Sequence, residues 1–259
     1  MLFGHTGMLG WYIHRWMRRL GWEVILIGRN ELLEVQSWVA RCHPDVLVNC
    51  ICSVQGDMTV NYELPIRLSG LGVPLIHIST NGVFSGERGC YSEKDLPDAV
   101  DSYGMSKRKG EEIVATIIRT SIIGESDRST GYFLEWVKRS IGMIKGYTDH
   151  IWNGVTCLYL AQFISHLIRE GLLWKGVRHL CEHGQWYSKY QLAVLIKRYY
   201  YLPVTIIPHL TPPKYLDLNT CYNNSYKPPC LVMDLMDCCR WLGAYMPAKQ
   251  VVRLCRYLR

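Results

Sequence analysis

Glycines at positions 4, 7 and 10 stand in the opening stretch Met1-Leu-Phe-Gly-His-Thr-Gly-Met-Leu-Gly10. This G-x-x-G-x-x-G spacing constrains the chain more than any other feature. It suits a tight turn between a strand and a helix, with the backbone drawn close to a diphosphate and the helix N-terminus aimed at it. A plain glycine-rich turn would carry the same letters, so the reading depends on the pattern of the residues after Gly10. Only three residues precede Gly4, which leaves either a very short first strand or a longer native N-terminus.

Beyond Gly10 the chain alternates between short apolar runs and helical patterns. A helix is expected over residues 11–20, ended by Gly21, and a buried strand over 23–27 (Glu-Val-Ile-Leu-Ile). Asn30 is placed to cap a helix over 31–42, and Pro44 stops it. Strands are expected at 45–51 and 73–78, with a helix at 62–69 between them, and a further strand at 116–120. Such alternation implies a parallel sheet with right-handed crossovers, with ligands bound beyond the carboxyl ends of its strands. Later helices are expected over 132–141, 156–172 and 188–200, and strands at 177–181 and 203–207. An irregular loop over 211–229 and two helices at 234–242 and 247–258 close the chain.

Three positions on this frame carry chemistry. Arg29 lies 19 residues past Gly10, at the end of the second strand, where no acid is found. An acid there suits the free ribose of NAD, and an arginine the 2′-phosphate of NADP. The choice therefore leans to NADP, the alternative being an arginine merely exposed at a strand end. Thr80 puts a hydroxyl at the carboxyl end of the fourth strand, near the glycine loop. Tyr103 and Lys107 are four apart in a run expected to be helical through Ala115, so they share a face. A positive charge beside a phenol favours the phenolate and lowers its pKa, fitting it to move a proton at an oxygen-bearing carbon. Taken alone, the pair reads better as a surface tyrosine and lysine, because the spacing is common.

Composition narrows the class. In 259 residues, 49% hydrophobic and 20% charged, a sizeable core is available. No apolar run approaches the roughly 20 residues of a membrane helix, and the first residues lack a signal-peptide pattern. The net charge of +7 is spread out, with only Arg253, Arg256 and Arg259 crowded together; a solvated basic helix accounts for them better than a nucleic-acid patch. The eleven cysteines contain no Cys-x-x-Cys and read as reduced thiols of a cytoplasmic protein, with no metal site expected. His179-Leu-Cys-Glu-His183 has the letters of a zinc-peptidase motif, but it falls in a strand context where the two imidazoles cannot share a helix face.

Several stretches in order resemble the extended short-chain dehydrogenase/reductase family, in its dTDP-4-dehydrorhamnose reductase branch. They are Gly4 to Gly10, Ile78-Ser-Thr-Asn-Gly-Val-Phe-Ser-Gly86, Tyr91-x-Glu93-x-Asp95, Tyr103-Gly-Met-Ser-Lys107 with Gly110-Glu111, and Arg119-Thr-Ser-Ile-Ile-Gly124. Trp152-Asn-Gly-Val-Thr156 and Ser188-Lys-Tyr190 extend the likeness more weakly. The resemblance implies an α/β fold with a Rossmann-type doubly wound parallel sheet over residues 1–125, returning near 150–175. It implies a smaller α/β substrate-binding region over 126–259. It implies NADPH-dependent reduction of the 4-keto group of a nucleotide-linked 6-deoxy sugar, with Thr80, Tyr103 and Lys107 catalytic. Lys107 would hold the nicotinamide ribose and lower the tyrosine pKa. The cofactor contacts it implies are Gly4, His5, Thr6, Gly7, Met8, Leu9, Gly10, Arg29, Asn30, Cys50, Cys52, Tyr103 and Lys107. The substrate contacts are Thr80, Asn81, Val83, Tyr103 and Trp152.

The chain departs from that branch at Asn81-Gly82, where Asp-Tyr is usual. Its loop after the third strand is short. Two other readings stay open: a reductase that also epimerises the sugar, and an NADP-binding regulatory subunit of another enzyme. The expected partner is the nucleotide sugar, with a homodimer open and neither membrane nor nucleic acid expected.

Overall fold

The computed structural model describes residues 1–126 and 132–222, and beyond them Leu231, Leu235 and Asp237. The expected helices over 234–242 and 247–258 and the Arg253, Arg256 and Arg259 cluster lie outside the described residues, apart from those last two positions.

The first half alternates strand and helix: β1 (Leu2–Phe3), α1 (Met8–Arg19), β2 (Leu26–Ile27), α2 (Val35–Cys42), β3 (Leu47–Asn49), α3 (Leu64–Ser69), β4 (Leu75–Thr80), α4 (Ser102–Lys109) and β5 (Thr116–Thr120). The second half continues with β6 (Ile122–Ile123), α5 (Phe133–Arg139), β7 (Met143–Tyr147), β8 (His150–Trp152), β9 (Val155–Thr156), α6 (Cys157–Arg169), β10 (Gly176–His179), β11 (Tyr187–Ser188), α7 (Lys189–Tyr199), β12 (Thr205–His209) and β13 (Lys214–Tyr215).

Six strands form the main sheet in the order β2-β1-β3-β4-β5-β10, every pairing parallel. Strands buried on both faces need apolar residues on both, and Thr116 to Thr120 is buried throughout. One face packs on α1 and α6 through Tyr12, Ile13, Met17, Leu160, Ile164 and Leu167. The other packs on α2 and α3 through Val35 and Leu68, against Phe3, Leu47, Leu75 and Ile117. This is the expected doubly wound, Rossmann-like architecture. The strand order reverses between β1 and β3, and such a switch point opens a crevice for a ligand.

The return to the sheet runs through α6 to β10, ending at His179. The second half has its own core around Leu134, Trp152, Tyr187, Leu192 and Ile196, with α5, α7 and the smaller sheets β11-β8-β13 and β12-β7. At α7, Ser188 Oγ accepts the Gln191 N–H while Gln191 Oε1 accepts the Ser188 N–H, a reciprocal cap that starts the helix where the sequence placed it.

Three local expectations are corrected. Asn30 makes no side-chain cap; residues 31–34 form a 3-10 turn, and α2 starts only at Val35. The helix carrying Tyr103 ends at Lys109, not Ala115. Gly110 is pressed so close to the Asn61 carbonyl that a Cβ there would lie 2.0 Å from its oxygen, and Glu111 then turns inward to Arg119. The described part of the 211–229 loop is ordered: Tyr215 N–H donates to the Gly86 carbonyl, and Leu218 bridges to Tyr91.

Candidate active site

A cleft of about 1060 Å³ opens at the carboxyl ends of β1 to β5. Its first wall is the loop from Gly4 to Leu9, which leads into α1. A Cβ on Gly10 would fall 2.2 Å from the Gly4 carbonyl oxygen, so only glycine lets the helix start this near the turn. Gly7 caps α1 without a side-chain bond, and no acid occupies its first turn. The orphan N–H groups of that turn, with the positive end of the helix dipole, therefore face the cleft. His5 lines the same wall, and its buried Nδ1 has no hydrogen-bond partner among the described residues.

Arg29 also lines the cleft, at the end of β2. Arg67 of α3 joins it there, its Nη2 donating to the carbonyls of Leu32 (2.6 Å) and Leu33 (3.0 Å). Nothing local in the sequence marks Arg67; it reaches this wall only because α3 crosses beside the 3-10 turn. Cys50 and Cys52 line the next stretch, with Ser53 and Gln55. Asn61, fully buried, holds this loop by accepting the Ser53 N–H (2.8 Å) and donating to Ser53 O (2.7 Å) and Ser106 Oγ (2.9 Å). That tie joins the loop after β3 to α4.

Deeper in, Thr80, Tyr103 and Lys107 come together with Thr120, Ser121 and Tyr132. Asp101 caps α4 by accepting the Gly104 N–H at 2.9 Å, which sets the helix so that Tyr103 meets the end of β4. Thr80 Oγ1 accepts the Gly82 N–H at 3.0 Å and donates to Asn81 Oδ1 at 3.5 Å, with the Tyr103 phenol beside it in the cleft. Burial pushes the phenol up to about 12; the charge of Cys52 adds to this, and the neighbouring Thr80 hydroxyl opposes it. The lowering expected from Lys107 is absent. Lys107 is buried, donates from Nζ to the Ile78 carbonyl at 2.8 Å, and lies 3.4 Å from His77 Nε2. Its own pKa is lowered, first by burial, with Cys52, Glu111 and Cys50 acting in the other direction.

Five of the expected contacts lie off the cleft wall. Gly10 supports the turn from behind, and the Asn30 side chain caps nothing. Asn81 is buried and donates from Nδ2 to the Leu216 carbonyl at 2.8 Å, tying the end of β4 to the segment after β13. Val83 sits in an apolar cluster with Phe84, Tyr91, Cys181 and Leu218. Trp152 is buried, but its Nε1 donates at 2.6 Å to Ser121 Oγ, which does line the cleft. His179, first residue of the peptidase-like motif, is on β10; its Nδ1 lies 2.8 Å from the Asn219 carbonyl and its Nε2 3.4 Å from Arg119 Nη1.

Residues 1–213 match the family model described as RmlD substrate binding domain. A dTDP-4-keto-6-deoxy-D-glucose reductase of Streptomyces niveus is 28% identical over 221 residues, covering 73% of this chain and 75% of that protein. The methionine adenosyltransferase 2 subunit beta of Pongo abelii is 25% identical over 257 residues, covering 82% of this chain and 74% of that protein. Among solved structures, the dTDP-4-dehydrorhamnose reductase of Bacillus anthracis in complex with NADP shares the fold, with a TM-score of 0.77 at 21% identity over 94% of this chain and 98% of that one. A glycine turn opening a doubly wound sheet and the matched span of residues 1–213 lead to one assignment: the chain belongs to the RmlD substrate-binding domain family.

Proposed function

We propose that this protein is a cytoplasmic reductase that uses NADPH to reduce the 4-keto group of a dTDP-linked 6-deoxyhexose. The observation that carries the reading is the meeting of Thr80 and Tyr103 in the cleft that starts at the glycine loop. The uncapped first turn of α1 fits a diphosphate, and the unpartnered His5 Nδ1 faces the same loop. Arg29 and Arg67, at the far end, suit the extra phosphate of NADP. The names of the relatives, two dTDP-sugar reductases of which one is in complex with NADP, support the same choice.

NADPH supplies the hydride, which is delivered to C4 of the sugar. The chain's own residues manage the oxygen. Thr80 accepts the Gly82 N–H, and its hydroxyl hydrogen, held in the resting site only by a long 3.5 Å bond to Asn81 Oδ1, turns to the substrate carbonyl when the sugar binds. Tyr103, held as a neutral phenol by burial, gives its proton to O4 as negative charge grows there. Reduction needs an acid, so a phenol that stays protonated in the resting site suits this direction. Solvent returns the proton to the phenolate. Trp152 acts one step back, fixing the Ser121 hydroxyl at the sugar end of the cleft.

A second reading, a dinucleotide-binding regulatory subunit, is favoured by one observation: Asn81 turns away from the cleft to Leu216. The likeness to a methionine adenosyltransferase subunit points the same way. Mixing the protein with NADPH and dTDP-4-keto-6-deoxy sugars separates the two. Steady loss of reduced-nicotinamide absorbance establishes the reductase, and tight NADPH binding without turnover on any of these sugars overturns it.

A further inference from the structure

Three buried side chains form a line under the cleft. Asn49 at the end of β3 and His77 in β4 are fully buried, and Lys107 of α4 is buried beside them. Asn49 Oδ1 accepts the Ile51 N–H at 3.0 Å. The other end of that amide, Nδ2, is thereby turned to His77 Nδ1, 3.1 Å away. An amide NH₂ only donates, so Nδ1 is the acceptor and the single proton of the neutral ring sits on Nε2. Burial, with the charge of Lys107 beside it, holds the ring well below its usual pKa and so uncharged.

His77 Nε2–H faces Lys107 Nζ at 3.4 Å. An ammonium carries three donors and no acceptor. One of its hydrogens goes to the Ile78 carbonyl at 2.8 Å, but towards His77 it meets another N–H. Among the described residues no carboxylate bonds the ammonium, although Glu111 favours its charge. Glu111 is bonded to Arg119 and to Ser79, and the remaining ionisable neighbours are Cys50 and Cys52 from the loop after β3 and Tyr103 on the same helix. The Lys107 ammonium thus rests in a place that satisfies it poorly, at the edge of a cleft where acceptors would arrive with a ligand.

We propose that Asn49 and His77 are positioning residues: by fixing the proton on His77 Nε2 they deny the Lys107 ammonium an acceptor in its resting place and so drive it onto the hydroxyl oxygens of the bound dinucleotide. The inference rests on reading the cleft as an NADPH site. It makes dinucleotide binding favour the protonated lysine, so NADPH affinity falls as pH rises.

Nitrogen-15 NMR of the ligand-free protein reads the ring directly. Protonated Nε2 and bare Nδ1 are expected for His77; a proton on Nδ1 overturns the proposal whatever the protein reduces. Asn49→Asp keeps the size and the bond to Ile51 N–H, but offers a second oxygen to Nδ1–H. The ring then moves its proton to Nδ1 and presents Nε2 as an acceptor to the ammonium. His77→Gln presents an amide oxygen there by a different route, should the aspartate fail to fold. Both variants are expected to bind NADPH about tenfold more weakly at pH 7, the size of one charge-assisted hydrogen bond gained by the resting state. Both should also show a flatter dependence of affinity on pH between about 6 and 9, the range below the ordinary lysine pKa. Cys50, Cys52, Tyr103 and Glu111 are common to all three proteins, so their own titration cancels in the comparison. Unchanged affinity and pH slope in a folded variant overturn the proposal. A parent protein that binds no NADPH overturns it together with the function above, whereas NADPH binding without sugar turnover removes the reductase reading alone.

Discussion

Glu111 and Arg119 face each other in a two-pronged ion pair, Nε to Oε1 at 2.8 Å and Nη2 to Oε2 at 2.6 Å, with both side chains only 6% exposed. Ser79 Oγ donates to the same Oε1 at 2.5 Å, and Ser79 lies opposite Arg119 in the β4–β5 register. The pair therefore fastens the end of α4 to the sheet one residue before Thr80. Glu111→Leu leaves a buried guanidinium without its partner and is expected to cost about 3–5 kcal/mol, read from the denaturant midpoint. Adding Arg119→Met should recover much of that loss; no recovery would mean the carboxylate, not the pairing, stabilises the fold.

Tyr103→Phe removes the proton donor and leaves the ring that packs in the cleft. Turnover with NADPH and keto-sugar should drop by about 100- to 10,000-fold, with the NADPH dissociation constant nearly unchanged. Turnover at the parental rate would take Tyr103 out of the acid role.

Arg29→Glu places a negative charge where the 2′-phosphate is expected. The ratio of kcat/KM for NADPH over NADH should fall by about tenfold or more, since a hydrogen bond to a charged group contributes roughly 1.5–3 kcal/mol. An unchanged ratio would leave Arg67 to select the phosphate.

Lys189 gives a pH effect with a definite sign. Burial lowers it from 10.5 to about 8, and among the described residues its Nζ stands beside the rings of Phe133 (4.7 Å) and Trp152 (5.9 Å). Between these two pKa values the unfolded chain holds more protons than the folded one, so stability rises with pH across that window. Below about 8 both states are protonated and the folded state bears the whole cost of the buried ammonium. Lys189→Met should therefore raise Tm at pH 7, less any cation–π attraction lost, and the gain should shrink as pH rises through the window. A lower Tm at pH 7 would show that the aromatic contacts outweigh desolvation.

The amino-acid sequence by itself determined the order of elements and the place of the ligand crevice. Turn glycines, apolar runs and helical spacing act over a few residues, and they put Gly4 to Gly10, Thr80 and the Tyr103–Lys107 pair at strand ends and on a helix before any packing is known. The start of α7 was legible for the same reason, and the structure shows it closed by Ser188 and Gln191, three residues apart. Tertiary structure decided where side chains point and what charge they hold. Asn81 faces Leu216, 135 residues on, and so leaves the cleft. Arg67 enters it from a helix with no local signal, and α4 ends at Lys109 with Gly110 packed against the Asn61 carbonyl, where no side chain fits. Tyr103 shares a helix face with Lys107, as its spacing required, yet its proton is held tighter rather than looser. Spacing gives proximity, but a pKa depends on how much water the fold removes and on which partners reach the charge first; here burial surrounds the phenol, and a carbonyl of β4 takes the ammonium.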